Sequence, residues 1–480
     1  MSQARTGPVV GVLAGAGIVV SLMQTLVVPL IPDLPNLLHT DAANASWAIT
    51  ATLLAGAVAT PVLGRLGDMY GKRRVLLISL ALLVVGSLVC GFSNSLAPMV
   101  IGRALQGVGA GVIPLGISIM RDELPPQKLG SSMALMSSSL GIGGAFGLPL
   151  SAVIAQHASW HALFWISAAL GLVVAAAVVL LVPESPVRSG GRFDLVGTVA
   201  LTIGLVALLL AVSKGGDWGW ASGSTLGMFA AAAVVLPVWG WWELRTEQPL
   251  VDLRTTARRQ VLMTNLASVV IGFAMYAMSL VSPQLLQMPT ATGYGLGQSM
   301  VAAGLWMAPA GLVMMLLSPF SAKLSAARGP KVSLLVGAVV ITAGYLSALA
   351  LMGHAWGVLV FSCVISGGIA FAYAAMPALI MGAVPASETA AANGLNALMR
   401  SIGTSSSSAV IGVVLAHMTT RFGTHTLPSE TGFRTAFLIG AGAAVAAALV
   451  TLAIPGIRRA VVPGQAAPAD GTPDAVAAAK

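Results

Sequence analysis

Fourteen mostly apolar stretches divide the chain: 8–30, 47–66, 75–92, 96–120, 129–155, 160–182, 195–212, 222–242, 261–286, 299–322, 332–352, 356–381, 391–418 and 435–454. About 20 apolar residues in helical form cross the hydrocarbon core of a bilayer. The pattern therefore predicts an all-α polytopic membrane protein. Two stretches are not apolar all round. In 261–286, Asn265, Ser268, Gly272, Tyr276, Ser279 and Pro283 recur at spacings of three and four, which is one helical face. In 391–418, Asn393, Asn396, Arg400, Thr404 and Ser407 do the same. Such stripes are expected to face a polar cavity between helices, with Gln24 and Thr25 in the first stretch beside them. Trp306 with Pro309, and Tyr373 with Pro377, would add aromatic and bent surface, though each alone reads as packing. Beyond Pro455 the chain turns to Ala, Pro, Gly and Asp, and 456–480 is expected to be a disordered tail.

Composition agrees. The 480 residues are 57% hydrophobic and only 8% charged, against roughly a quarter charged in soluble domains. The net charge of +9 does not point to nucleic acid, because the bases lie in short loops and form no stripe with interleaved aromatics. Of the 24 Lys and Arg residues, Arg103 and Arg400 fall inside apolar stretches. Lys214, Arg421 and Arg434 fall in loops expected outside, and the others lie on the side of the N-terminus. That asymmetry places both termini in the cytoplasm. The first stretch lacks a convincing cleavage site and reads as a retained helix. Cys90 and Cys363 each sit in an apolar stretch, so no disulfide framework or metal site is expected. There is no Walker loop and no catalytic constellation, hence no enzyme and no cofactor is expected.

The densest polar segment is Gly64–Arg74, G-R-L-G-D-M-Y-G-K-R-R, between the second and third stretches. Its glycines permit close approach and a sharp turn. Asp68 is the one acid among four bases, suited to accept hydrogen bonds at a neighbouring helix N-terminus. Moving 258 residues on, Pro61 meets Pro319, Arg65 meets Lys323, Gly71 meets Gly329 and Arg73 meets Lys331, while Asp68 meets Ala326. This faint repeat divides the chain into 1–194, a joining pair of helices in 195–260, and 261–455.

The segment G-x-L-x-D-x-x-G-[KR]-[KR] resembles the loop between helices 2 and 3 of the major facilitator superfamily. The six-two-six order resembles its fourteen-helix drug:proton antiporter branch, and the likeness covers about 8–454. The resemblance implies two six-helix bundles, plus two linker helices, around a site near the membrane midplane. R-x-x-Q-G-x-G-A at Arg103 and Gln106 resembles the family's helix 4 motif, whose arginine is associated with proton transfer; the alternative is that Arg103 snorkels to the outer surface. L-G-I-G-G-A-F-G-L-P, with Gly143, Gly144, Gly147 and Pro149, resembles the family's antiporter motif but lacks its prolines at 144 and 148. Read as bare chemistry, it is a helix built for close packing. M-R-D-E-L-P-P matches the family's R-D-x-x-P-P.

The resemblance implies a conformational latch of Gly64, Arg65, Asp68, Gly71, Arg73 and Arg121, with Arg121 bridging Asp68. In the first stretch the family has L-D-x-T-I-V-N, but this chain has L-M-Q-T-L-V-V. Met23 replaces the membrane acid and Val28 the asparagine, while Thr25 and Pro32 are kept. Asp33, near the outer end, is left as the proton-coupling candidate beside Arg103. The expectation is a monomeric exporter in a bacterial inner membrane, surrounded by lipid, moving small amphiphilic molecules in exchange for protons. The missing acid leaves open an exporter without proton coupling, or a receptor that keeps the fold.

Overall fold

The computed structural model describes residues 3–27, 30, 33–422 and 425–455. Val28, Pro32 and the tail 456–480 lie outside them. Fourteen helices are long and apolar enough to cross a membrane. They are α1 (Gln3–Thr25), α2 (Trp47–Tyr70), α3 (Lys72–Gly91), α4 (Leu96–Glu123), α5 (Pro126–His157), α6 (His161–Leu181), α7 (Leu195–Trp218), α8 (Gly223–Arg245), α9 (Arg259–Gln287), α10 (Met300–Arg328), α11 (Pro330–Leu351), α12 (Ala355–Met381), α13 (Thr389–His417) and α14 (Glu430–Leu452).

Several helices outrun their apolar stretches. α7 continues to Trp218, so Lys214 lies in a helix rather than in a loop, buried against Trp47 and Ser46 of the α2 entry and paired with Asp217 at 3.0 Å. α4 tightens to a 3₁₀ turn at Gly109–Gly111. The connection before α14, read as plain loop from sequence, contains an antiparallel hairpin of Thr419–Phe422 and His425–Pro428.

One apolar core is built mainly from α1–α6 and another mainly from α9–α14, with Met381 and Ala390 of the second half packed into the first core. The 258-residue repeat is visible in the backbone. Gly71 and Gly329 both take positive φ, 113° and 91°, where a side chain is strained, and each joins the second and third helices of its half. The paired bases match too. Arg73 donates from Nη2 to the Val179 carbonyl at the end of α6, and Lys331 donates to the Leu452 carbonyl at the end of α14 (2.9 Å). Each satisfies the unpaired carbonyls of a helix C-terminus, where a cation is also favoured.

The halves meet along two seams, α2 against α13 and α5 against α10. Small residues set the distance. A methyl carbon on Gly64 would lie 2.4 Å from the Ala390 carbonyl oxygen, and one on Gly394 2.5 Å from that of Thr60. On the other seam, one on Gly311 would meet Gly141 O at 2.3 Å, and Ser318 donates to the Ala134 carbonyl at 2.7 Å. Pro149 stacks on Gly304. Within the first half, Gly143 and Gly147 lie against Ser21 and Thr25 of α1, whereas Gly144 has nothing within 4 Å and takes no part in close packing. α7 of the linker pair buries Leu201, Leu205 and Leu209 among residues of both α2 and α13.

Overpacking a tight contact costs about 1–3 kcal/mol. Gly311→Val is therefore expected to lower stability by that amount in detergent unfolding. Gly144→Val, in open space, is expected to shift it by no more than about 0.5 kcal/mol.

Candidate functional site

The strongest concentration of buried charge lies where α2 and α13 meet, on the face that carries the basic loops. The side chains of Asp68, Lys72 and Asp122 are all at most 1% exposed. Asp68 accepts from the backbone N–H groups of Ala390 (3.2 Å) and Ala391 (2.8 Å), the first turn of α13 in the opposite half. These amides have no partner within their own helix, and the helix dipole there favours an anion. Lys72 stands 3.6 Å from Asp68 and forms a direct ion pair with Asp122, which also accepts from the Ser185 hydroxyl.

Arg121 departs from expectation. It does not bridge Asp68; it crosses the seam by itself, donating to the Thr389 hydroxyl (2.5 Å) and the Val384 carbonyl (3.3 Å). The acid and the base thus hold the same helix end from two sides, one taking its N–H groups and the other its flanking oxygens. Gly64 allows the approach, and Gly71 turns the chain after it. Arg73 stays within its own half, and Arg65, 9% exposed, lines a cavity beside the seam.

Arg103 does not snorkel. It is 2% exposed and donates from Nε to Ala48 O (3.0 Å) and from Nη1 to Met23 O (3.3 Å) and Gln106 Oε1 (2.8 Å). Gln106 passes the chain on to the Ser87 hydroxyl at 2.8 Å. A guanidinium carries five N–H donors, and carbonyls and an amide take three of them here, the one on Nε and the two on Nη1. Among the described residues no carboxylate lies within ion-pair distance of it. The backbone of Met23, where the resemblance implies an acid, is one of its partners. Asp33 is exposed, ahead of the short helix Leu34–Leu37, and makes no capping bond with its side chain.

The two polar stripes face each other rather than an open cavity. Asn396 donates to Asn265 Oδ1 (2.9 Å) and to the Ser268 hydroxyl (2.6 Å), and all three are at most 3% exposed. Gly272 lies against the backbone of Arg400, whose guanidinium stacks on Tyr373 at 4.9 Å. Tyr373 is buried and its hydroxyl reaches Met275 sulfur at 3.0 Å. Tyr276 is half-buried. Trp306 is tied by its indole N–H to Gln298 at 3.1 Å, at the start of α10. Thr25 bonds to the Gly143 carbonyl at 3.2 Å and so joins α1 to α5, and its neighbour Gln24 is half-buried. Packing of α9 on α13 brings Asn265, Ser268 and Asn396 of the two stripes together, while Ser279 is exposed.

Sequence reasoning missed Lys72 and Asp122 as a buried pair. The R-D dipeptide at 121–122 and the base four residues after Asp68 were the available signals. It also missed Glu243, 2% exposed, whose Oε1 accepts from the Trp239 indole at 2.9 Å.

Comparison with known proteins agrees with this architecture. The Major Facilitator Superfamily profile matches residues 13–408, and the chain belongs to that family. The chain is 31% identical over 307 residues to an uncharacterised MFS-type transporter of Mycobacterium tuberculosis, and spans 44% of that protein's length. It is 29% identical over 419 residues to the tetracenomycin C resistance and export protein of Streptomyces glaucescens, covering 86% of this chain and 77% of that one. It is 27% identical over 424 residues to the multidrug resistance protein Stp of M. tuberculosis, covering 86% and 76%. The crystal structure of the human organic anion transporter MFSD10 superposes with a TM-score of 0.66 over 93% of this chain and 99% of that one, at 15% identity, a likeness of fold. The protein is a polytopic membrane protein of the major facilitator class.

Removing one member of a buried ion pair costs about 3–5 kcal/mol. Lys72→Met, which leaves Asp68 and Asp122 facing each other, is expected to destabilise the detergent-solubilised protein by that amount. Arg74→Met, an exposed base 3.9 Å from Glu184, is expected to cost less than about 1 kcal/mol.

Proposed function

We propose that this transporter exports small amphiphilic molecules across a bacterial inner membrane, with its basic face in the cytoplasm, in exchange for protons. The observation that carries the reading is the closed seam at Asp68, Arg121 and the first turn of α13. Every bond in it crosses between the halves, so rocking one bundle against the other must break all of them together. Such a contact makes two discrete states rather than a continuum, as alternating access requires. The seam closed on the cytoplasmic side corresponds to a site offered to the outside.

The relatives named for drug resistance and for tetracenomycin C export support the direction and the substrate class. Arg103 and Gln106, buried between α1, α2, α3 and α4, would carry changes at the α1 backbone into the first bundle. The cationic Arg400 and the absence of a membrane acid in α1 favour neutral, zwitterionic or anionic amphiphiles over dications. Asp33 is the candidate proton carrier and works from the outer surface.

A second reading, export without protons, is favoured by one observation: Met23 stands where an acid is implied, and the hydrogen bonds of Arg103 go to carbonyls and an amide rather than to a carboxylate.

Proteoliposomes loaded with a pH dye separate the two. Driving the purified protein with a gradient of tetracenomycin C or another amphiphile is expected to produce proton counterflow, which Asp33→Asn abolishes while slow substrate equilibration persists. Substrate movement without any proton signal selects the uncoupled reading. Arg103→Ala is expected to cut transport at least about tenfold, roughly 1.4 kcal/mol of barrier.

A further inference from the structure

On the basic face, beside the closed seam, lies a cavity of about 300 Å³. That is the lower end of the size range for small-molecule sites. Five parts of the fold wall it: Arg65 from α2, Ser189 and Gly190 from the α6–α7 connection, the end of α8 with the segment after it, Val261 from α9, and the turn leading into α13 with its first residues.

Its charges are unusual. Arg65 is 9% exposed, and its guanidinium has no hydrogen bond or ion pair among the described residues. Glu243 is 2% exposed; Oε1 is bonded to the Trp239 indole, the backbone N–H groups of Leu250 and Val251 and the carboxylate of Asp194 are its near neighbours, and Oε2 makes no hydrogen bond. The two line one cavity without pairing to each other. Of the other charges, Glu247 lines the cavity but is exposed, and the rest are employed or set apart. Asp252 accepts from the Thr255 hydroxyl (2.6 Å) and from the amides of Arg254 and Thr255; burial works to raise its carboxyl, but these bonds outweigh it and hold it below the usual range. Arg254 donates to the Leu244 carbonyl at 2.8 Å. Glu388 lines the cavity within electrostatic reach of Arg65 but beyond ion-pair distance. Ser189 adds a buried hydroxyl without a partner.

Leaving one buried group of each sign without an ion-pair partner is costly, and a ligand carrying both opposite charges relieves both at once. We propose that this cavity binds a small zwitterion, its anionic group on Arg65 with the Ser189 hydroxyl and its ammonium on Glu243. Because the walls come from both halves, α2 and Ser189 on one side and Val261 and α13 on the other, with the linker between, the cavity exists only while the seam is closed, and an occupant favours that state. This last consequence rests on the alternating-access reading; the binding itself does not.

The test uses the full chain purified in detergent. β-Alanine, γ-aminobutyrate and O-phosphoethanolamine are titrated against acetate, ethylammonium and inorganic phosphate. Tryptophan fluorescence, which Trp239 reports from its bond to Glu243, and melting temperature are the readouts. At least one zwitterion is expected to saturate with an affinity at least tenfold above every singly charged probe, and Glu243→Gln and Arg65→Gln are each expected to weaken it at least tenfold. Arg65→Lys, which keeps the charge, serves if Arg65→Gln fails to fold. Equal binding of singly charged probes, an unchanged affinity in Glu243→Gln, or no saturation by any zwitterion overturns the proposal. Repeating the titration in nanodiscs separates the sources. A response lost in phosphatidylethanolamine but kept in phosphatidylglycerol assigns the site to a lipid headgroup, and one kept in both assigns it to a free solute; either supports the zwitterion chemistry. Transport plays no part in these readouts, so failure here leaves the exporter reading standing.

Discussion

One carboxylate holds the two halves in register. Asp68 is wholly buried, and its oxygens take the two amides that open α13 in the opposite bundle. Desolvating that charge is tolerable only because several donors converge on it: two helix amides, the nearby Lys72 and the dipole behind them. Each donor depends on something further away. Lys72 is positioned by the positive-φ turn at Gly71 and shared with Asp122, and the approach of α13 depends on Gly64 having no side chain. Arg121 grips the residues just before the same turn. The closed face is thus a small electrostatic cluster assembled from glycine geometry.

The first half has this cluster and the second does not, although both share the same skeleton. Gly71 and Gly329 turn alike, and Arg73 and Lys331 close the ends of α6 and α14 alike. Ala326 stands where Asp68 would be. The repeated parts are those that build each bundle; the part that reaches across the seam is present once. The opposite seam, α5 against α10, is held by glycines, Pro149 and the Ser318 hydroxyl rather than by charge.

Much of this was legible beforehand for identifiable reasons. Hydrophobic length specifies spanning helices almost alone, because lipid forbids unpaired backbone, and all fourteen spans were there to be counted. Glycines at Gly64 and Gly71 signalled close approach and a turn. What was obscured shares one cause: periodicity shows that a face is polar but not what it meets. The Asn265 and Asn396 stripes read as cavity lining and prove to meet each other. Lys72 read as a topology base and Lys214 as a base in an outer loop, while Glu243, just beyond the end of its stretch, drew no reading. Chain segments folding back over them bury all three. Arg121 lay close to Asp68 in the expected latch, but its true partners, Thr389 and Val384, became visible only when α13 was in place.

The seating of α7 carries a consequence of another kind. Leu201, Leu205 and Leu209 rest on α2 and α13 together, so the linker pair leans on both bundles at once. Tilting one bundle against the other must strip part of that leucine row from protein and hand it to acyl chains, or the reverse. The membrane then becomes a reactant in the conformational equilibrium, and the thickness and packing of its lipids set part of the difference between the two states.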